Sequence, residues 1–289
     1  MSVTTLHAER PRGRTSSALF KAFLYVSIGV GIATLGTLLI TVVAKGWKYV
    51  DLVLLLEPPS ADPQIAGARP AILATIYLGL LLIAFSVPIG VGTAIYMEEY
   101  ANRDRWYNRL LEVNIQNLAA VPSIVYGILG LAFLVRGIGL GRVLLAGAMI
   151  LTLVVLPTVI IAAREAIRAV PDSIRQGAYA LGATKWQVIW RQVLPAATPG
   201  IATGSILALS RALGETAPLL LVGALTYVSF DPTILGDFTA LPVQIYQWVA
   251  RPQEDFRVLA ASGIIVLLAI LLTLNAFAIW IRNRYQRKW

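Results

Sequence analysis

Hydrophobic residues occur in six long runs, and the segments between them hold nearly all the charged residues. Five runs contain no charged residue, and the sixth is interrupted only by Arg211 and Glu215. About 20 apolar residues in an α-helix cross a hydrocarbon core of roughly 30 Å, and a helix satisfies its own backbone in lipid. The pattern therefore predicts an all-α membrane protein with six transmembrane helices, in the runs 22–44, 70–97, 113–135, 143–163, 192–230 and 258–281.

The spacing of these runs also predicts how the chain is organised. The last loop, on the external side, contains ALPVQIYQW (240–248), which is too short to span the membrane and too apolar for a solvated loop. We expect an interfacial or re-entrant helix there, with Tyr246 and Trp248 at headgroup depth. The predicted segments are a basic tail (1–21), a first transmembrane helix (22–44), an external loop (45–69), a core (70–281) that includes the long fourth loop (164–199), and a basic tail (282–289).

The composition agrees with a membrane protein. Of the 289 residues, 57% are hydrophobic and 13% are charged, about half the charged fraction of soluble proteins. The net charge of +9 is a possible sign of nucleic-acid binding. However, most Lys and Arg residues lie in the two tails and in the second and fourth loops, and such basic segments face the cytoplasm. We therefore expect cytoplasmic termini and no nucleic-acid partner.

The fourth loop predicts two short amphipathic helices. Asp172 suits the first turn of a helix, where the helix dipole favours an anion, and Gly182 suits the position just after the last turn. Thr184 and Gln187 form a T-x-x-Q capping box for the second helix. We call this helix–Gly–helix unit, residues 172–194, the elbow. Its periodicity is compatible with a position on the bilayer, with packing on its own transmembrane helices, and with binding to a cytoplasmic partner.

The second helix of the elbow has one apolar face. Its apolar residues recur at i, i+3, i+4 and i+7, the period of a helix face: Trp186, Ile189, Trp190 and Val193. We expect Pro195 to end this helix. If the elbow binds a partner, Trp186 and Trp190 are expected to hold it to the bundle.

The elbow resembles the EAA motif of permease subunits in ABC importers, EAA-x3-G-x9-I-x-LP. Aligned on Gly182 and on Leu194 and Pro195, the spacing is preserved, and Ala178 keeps its place. Three positions differ from the motif: Gln176, Gly177 and Gln192. The resemblance implies that the elbow couples to a groove of a separate ATPase subunit through Ala178, Leu181, Gly182, Ala183, Thr184 and Lys185.

The stretch 160–225 is similar to PstA-type permeases of bacterial phosphate importers. R-A-L-G-E, at 211–215, also resembles permeases for sulfate and molybdate, whereas the continuation G-E-T-A-P-L-L, at 214–220, favours phosphate and the PstA type. The resemblance implies a type I ABC importer permease (MetI-like) architecture in the bacterial cytoplasmic membrane. It also implies two ATPase copies, a homologous PstC-type permease as heterodimer partner, and an extracytoplasmic phosphate-binding protein.

The sequence gives no sign of an enzyme site. It has no G-x-x-x-x-G-K-[ST] phosphate-binding loop, so ATP and Mg²⁺ are expected to bind the partner ATPase, and no cofactor is expected in this chain. There is no cysteine, and the single histidine is His7 in the basic tail. We therefore expect no metal site and no catalytic activity.

Arg211 and Glu215 are the candidate substrate residues, with Thr216 beside them. A charge inside a membrane costs about 2.5–3.5 kcal/mol on insertion scales, so such residues usually face a bundle interior or a cavity. At i, i+4 the two side chains lie on one helical face and reach each other. One interpretation is a structural ion pair. The other is a substrate pathway, in which the planar guanidinium binds a tetrahedral oxyanion and Glu215 accepts a hydrogen bond from a protonated phosphate oxygen.

Three other functions remain as alternatives. The first is an importer for sulfate, molybdate or tungstate, which are oxyanions like phosphate. The second is an ATP-independent anion channel, which the elbow disfavours. The third is a membrane enzyme, which is disfavoured because the transmembrane runs contain no Cys, no His and no pair of carboxylates.

Overall fold

The computed structural model describes residues 14–102, 104–224 and 227–285. Residues 1–13 and 286–289, which belong to the predicted basic tails (1–21 and 282–289), and residues 103, 225 and 226 lie outside the described residues. All of the regular structure in the described part is helical, which confirms the all-α fold. Its α-helices are α1 (Arg14–Gly46), α2 (Leu52–Leu56), α3 (Arg69–Ile95), α4 (Trp106–Ala119), α5 (Ser123–Gly130), α6 (Leu144–Arg168), α7 (Asp172–Ala180), α8 (Lys185–Val188), α9 (Leu194–Leu213), α10 (Ala217–Val222), α11 (Leu241–Ala250) and α12 (Glu254–Tyr285).

Five helical segments are long and apolar enough to cross a membrane, and a bent pair of helices counts as a sixth if it forms one span. The five are Ser17–Tyr49, Arg69–Tyr100, Leu144–Arg168, Lys185–Leu213 and Glu254–Arg284. In the sixth, α4 and the helix Ser123–Gly137 meet at 103°. The break falls at Pro122, which lacks a backbone N–H and disfavours a helical residue before it. Five of the six predicted crossings are therefore present as single helical segments, and the third predicted crossing coincides with the bent pair.

Three helices widen into π-helical turns. The turn Tyr96–Tyr100 extends α3, Leu131–Gly137 extends α5, and Ile189–Val193 joins α8 to α9. The prediction that Pro195 ends a helix is wrong, because the chain continues through the third π-turn into α9. There the Leu194 N–H bonds to the Ile189 carbonyl, and Pro195 occupies the first turn of α9, where a missing N–H is tolerated.

Helix α6 lies at the centre of the bundle, between α3 and α9. It packs closely on α9, since a Cβ added at Gly204 would lie 2.4 Å from the Ala162 Cβ, and one added at Gly200 would lie 2.7 Å from the Ala166 Cβ. These two contacts show that α6 and α9 run antiparallel. The same register places Arg211 level with Val155, near the midpoint of α6.

Helix α11 forms where the sequence predicts a short helix. Tyr246 is exposed on it, but Trp248 is fully buried, so Trp248 contacts protein and not lipid headgroups. Gly263 of α12 makes this possible, because a Cβ at that position would lie 3.1 Å from the Trp248 ring. The predicted helix is therefore present with Trp248 packed inside the protein, and the depth of both aromatic residues in the membrane stays a prediction.

Gly204→Ala is expected to destabilise the bundle by about 1–3 kcal/mol, the usual cost of overpacking a tight contact. The added methyl group collides with a Cβ that is fixed to the α6 backbone. The thermal midpoint of the purified protein, followed by tryptophan fluorescence, measures this effect. Adding Ala162→Gly removes the collision and should restore the midpoint. Gly36→Ala on α1, where a Cβ meets no described atom within 4 Å, is the matched control, and a drop there as large as for Gly204→Ala would contradict the packing argument.

Candidate functional site

Arg211 and Glu215 lie on either side of a helix end. Helix α9 ends at Leu213, and Glu215 and Thr216 form the connection to α10. The Gly214 N–H bonds to the Arg211 carbonyl, and the Glu215 N–H bonds to the Ala212 carbonyl, as in a tightening last turn. The prediction of one continuous helix through both charges is therefore wrong. The physical reason is that Gly214 weakens the helix and Pro218 cannot donate to the Gly214 carbonyl.

The two charged side chains still reach each other across this connection. The Arg211 Nε lies 3.7 Å from the Glu215 Oε1, longer than a hydrogen bond. The side chain of Arg211 is 81% exposed, whereas that of Glu215 is 21% exposed. The Arg211 guanidinium donates no hydrogen bond to any described residue, so its donors are available to a ligand. Thr216 is half-buried at the start of α10.

Ser123 is a third polar residue at this site, and the sequence analysis did not select it. Its Oγ donates a 2.9 Å hydrogen bond to the Glu215 Oε2. Ser123 is the first residue of α5, directly after the bend at Pro122. A proline followed by serine inside an apolar run was the only sequence signal for it, and that signal cannot indicate which helix the serine faces.

Two helix breaks meet at this place. Helix α5 packs against α10, so closely that a Cβ added at Gly127 would lie 2.8 Å from the Pro218 Cα. The bend before α5 and the connection before α10 thus lie side by side. Their contact brings together Ser123, Arg211 and Glu215, which we call the break site. Because Arg211 is near the midpoint of α6, this site lies at membrane depth, where an exposed arginine is expected to face protein or a polar cavity.

The elbow has the predicted local structure. Helices α7 and α8 are joined at Gly182, which has φ of +81°, a conformation that favours glycine. The Thr184 side chain and the Gln187 side chain form the reciprocal capping box. The tip is open to solvent, with Leu181 90% exposed. The predicted coupling residues Gly182, Thr184 and Lys185 are also exposed, while Ala178 and Ala183 are half-buried against the bundle.

The two tryptophans of the elbow do not hold it to the bundle. Trp186 and Trp190 are both more than half exposed and pack edge to face on each other, with ring centroids 5.3 Å apart. Ile189 and Val193, the other two residues of the predicted apolar face, are buried, together with Val188. The π-turn at 189–193 widens the helix and changes which residues share a face, so the 3.6-residue period does not hold there.

The chain is similar to a known protein family and to bacterial proteins. A family profile described as "Binding-protein-dependent transport system inner membrane component" matches residues 86–289. The phosphate transport system permease protein PstA 1 of Mycobacterium tuberculosis (strain CDC 1551 / Oshkosh) is 32% identical over 276 residues, which are 94% of this chain and 90% of that protein. The probable ABC transporter permease protein YqgH of Bacillus subtilis is 34% identical over 224 residues, 73% of this chain and 70% of the relative.

Solved structures share the fold at low sequence identity. A bacterial alginate ABC transporter in complex with an alginate pentasaccharide-bound periplasmic protein contains a chain with a TM-score of 0.68 and 18% identity, covering 95% of this chain and 97% of that one. A chain of the MetNI methionine ABC transporter in an inward-facing conformation has a TM-score of 0.60 and 18% identity, covering 76% and 95%.

Proposed function

We propose that this chain, which belongs to the family of binding-protein-dependent transport system inner membrane components, is the permease subunit of an ATP-driven phosphate importer. The curated relatives named as phosphate transport permeases support phosphate as the substrate. The observation that carries the proposal is the exposed Arg211 at membrane depth, whose donors are free among the described residues.

The break site is suited to a tetrahedral oxyanion that passes through. Arg211 provides a permanent positive charge and a planar set of donors. Glu215 lowers the net charge of the site, which favours release as well as binding, and a transport pathway needs both. Its carboxylate also accepts a hydrogen bond from a protonated phosphate oxygen, which sulfate lacks at neutral pH. Ser123 positions that carboxylate through its hydrogen bond to Oε2.

The elbow is the proposed contact with the ATPase. Its exposed tip at Leu181 and Gly182 is free to insert into a partner groove. The same continuous helical segment, Lys185–Leu213, carries the second arm of the elbow at one end and Arg211 near the other. A displacement of the elbow by ATP binding would therefore be transmitted along this helix to the break site.

The remaining partners follow from the family and are part of the proposal. A homologous PstC-type permease would complete the pathway, so that charges of both subunits converge on the substrate. Two ATPase copies would bind ATP and Mg²⁺, and an extracytoplasmic protein would deliver phosphate. In this arrangement the elbow and both termini are cytoplasmic.

Uptake by the assembled transporter in proteoliposomes tests the proposed function. We expect ATP-dependent accumulation of labelled phosphate that needs the binding protein and is not reduced by excess sulfate, molybdate or tungstate. Competition by one of these oxyanions stronger than by unlabelled phosphate would reassign the substrate. Accumulation without ATP would favour an anion channel instead.

Glu215→Gln is expected to lower the preference for phosphate over sulfate by roughly tenfold, since one hydrogen bond to a charged group contributes about 1.5–3 kcal/mol. The glutamine amide can donate a hydrogen bond to any oxyanion. A fully deprotonated oxyanion such as sulfate is therefore no longer rejected. Uptake with each labelled oxyanion measures the preference. Ser123→Ala, which keeps the carboxylate, is the matched control and should reduce uptake with a smaller change in preference. An unchanged preference in Glu215→Gln would remove Glu215 from substrate selection.

A further inference from the structure

The π-turn Tyr96–Tyr100 lies where α3 ends, next to the elbow. Its closing bond runs from the Ala101 N–H to the Tyr96 carbonyl, at 2.8 Å. Three consecutive residues of this turn, Glu98, Glu99 and Tyr100, carry polar side chains. Consecutive residues of a helical turn point in different directions around its axis, so these three side chains can contact three different elements.

Glu98 contacts the end of α6. Its Oε1 accepts hydrogen bonds from the Arg164 Nε at 2.9 Å and from the Arg168 Nη2 at 2.8 Å. The side chains of Glu98 and Arg164 are both buried. Arg164 also donates to Glu112 of α4 at 2.9 Å. Both arginines at this end of α6, Arg164 and Arg168, thus donate hydrogen bonds to carboxylates within the protein.

Glu99 contacts the first arm of the elbow. Its Oε1 accepts from the Arg175 Nε at 3.2 Å and from the Arg175 Nη2 at 3.0 Å, and both side chains are mostly buried. The same guanidinium donates to the carbonyls of Ile167 and Val170 at the end of α6. Arg175 therefore joins α7 to α3 and to α6 at one point.

Tyr100 contacts the second arm. The Nζ of Lys185, the first residue of α8, lies 4.7 Å from the centroid of the Tyr100 ring, within the range of a cation–π interaction. Both arms of the elbow and the end of α6 are thus attached to three neighbouring residues of one turn. Apolar contacts of Ala178 and Ala183 with the bundle lie beside this attachment.

We propose that the π-turn Tyr96–Tyr100 transmits movement of the elbow to α3, with Glu99 and Arg175 as the positioning pair. The proposal rests on the proposed function, in which an ATPase moves the elbow. The other contacts of the elbow with the bundle named here, those of Ala178 and Ala183, are apolar, and apolar contacts are not directional. Separating the pair would leave a mostly buried charge without its partner, so the elbow and the end of α3 move as one body.

Glu99→Gln tests the proposal in proteoliposomes that contain the assembled transporter. The quantity measured is the number of ATP molecules hydrolysed per phosphate taken up. We expect this ratio to rise by roughly two- to thirtyfold, the range that mutations along a coupling element typically produce. A purely structural role would lower hydrolysis and uptake together and leave the ratio unchanged, which would overturn the proposal.

Asp172→Asn is the matched control. Asp172 pairs with the same Arg175 at 3.2 Å, but it belongs to α7 itself and is exposed. Asp172→Asn removes a carboxylate beside the same guanidinium without separating the elbow from α3. The number of ATP molecules hydrolysed per phosphate should therefore stay at the wild-type value. If Asp172→Asn raises the ratio as much as Glu99→Gln, the π-turn has no special role. Should Glu99→Gln fail to assemble, Tyr100→Leu takes its place, and an unchanged ratio there overturns the proposal.

A distance measurement tests this proposal independently of which ion is transported. The chain has no cysteine, so Gly92→Cys on α3 and Ser173→Cys on α7 accept two spin labels without competing sites in this chain. We expect the same label distance in nucleotide-free and ATP-bound complexes, and a shifted or broader distance after Glu99→Gln. A wild-type distance that changes between the two states would overturn the proposal, whichever ion is transported. Absence of phosphate uptake by the wild-type transporter would contradict only the proposed function.

Discussion

Arg211→Gln is expected to reduce phosphate uptake by roughly 10- to 100-fold while the transporter still assembles, since a hydrogen bond to a charged group contributes about 1.5–3 kcal/mol. The side chain is 81% exposed and pairs only loosely with Glu215, so its removal leaves packing intact. It removes the only positive charge of the break site. Copurification of the subunits and ATP-dependent uptake are the two measurements.

One further variant at position 211 and a control elsewhere separate the effect of charge from the effect of shape. Arg211→Lys keeps the charge but loses the planar set of donors, so we expect uptake between that of the wild type and that of Arg211→Gln. Arg282→Gln is the control, because Arg282 of α12 donates to Thr203 of α9 at 2.7 Å but lies outside the break site. Normal uptake by Arg211→Gln would show that this arginine only pairs with Glu215.

Gly182→Asp is expected to abolish binding of the ATPase and, with it, uptake. The substitution places a charge at the exposed tip of the elbow, where the proposed groove would bury it without a partner. An unpaired buried charge, as is left when one partner of a buried ion pair is removed, typically costs about 3–5 kcal/mol. The residue also has φ of +81°, which side-chain-bearing residues adopt only at a cost. Copurification of the ATPase with the permease measures the effect.

The chain provides a matched control for this variant. Gly139 has φ of +76°, and a Cβ there, as at Gly182, meets no described atom within 4 Å. Gly139→Asp therefore introduces the same charge and the same backbone strain away from the elbow, and it should leave ATPase binding intact. Gly182→Asn keeps the strain and removes the charge, so we expect partial binding. Full binding by Gly182→Asp would exclude the elbow tip from the interface.

Local features of the elbow could be predicted because they depend on neighbouring residues. The capping box of Thr184 and Gln187 and the positive φ of Gly182 are decided within one helical turn. The exposure of Trp186 and the continuation through Pro195 could not be predicted. They depend on a π-turn, which shifts the helical phase and leaves no clear mark in the pattern of apolar residues.

The break site, in contrast to the elbow, depends on residues that are far apart in the chain. Arg211 and Glu215 were identifiable because charges are rare in apolar runs. Ser123 was not, since serine is common in membrane helices and its partner is 92 positions away in the chain. Likewise, Glu98 and Glu99 resemble ordinary flanking charges until the fold places them against three arginines.

The sequence by itself determined the class of the protein, its long apolar helices, the helix–Gly–helix elbow and the presence of an intramembrane charge pair. These features follow from hydrophobic length and from contacts within one helical turn. Only the tertiary structure decided that the charge pair lies at two meeting helix breaks, that Ser123 completes it, and that one π-turn holds both arms of the elbow. The physical reason is that these contacts join residues far apart in the chain, whose meeting depends on how α3, α6 and α9 pack.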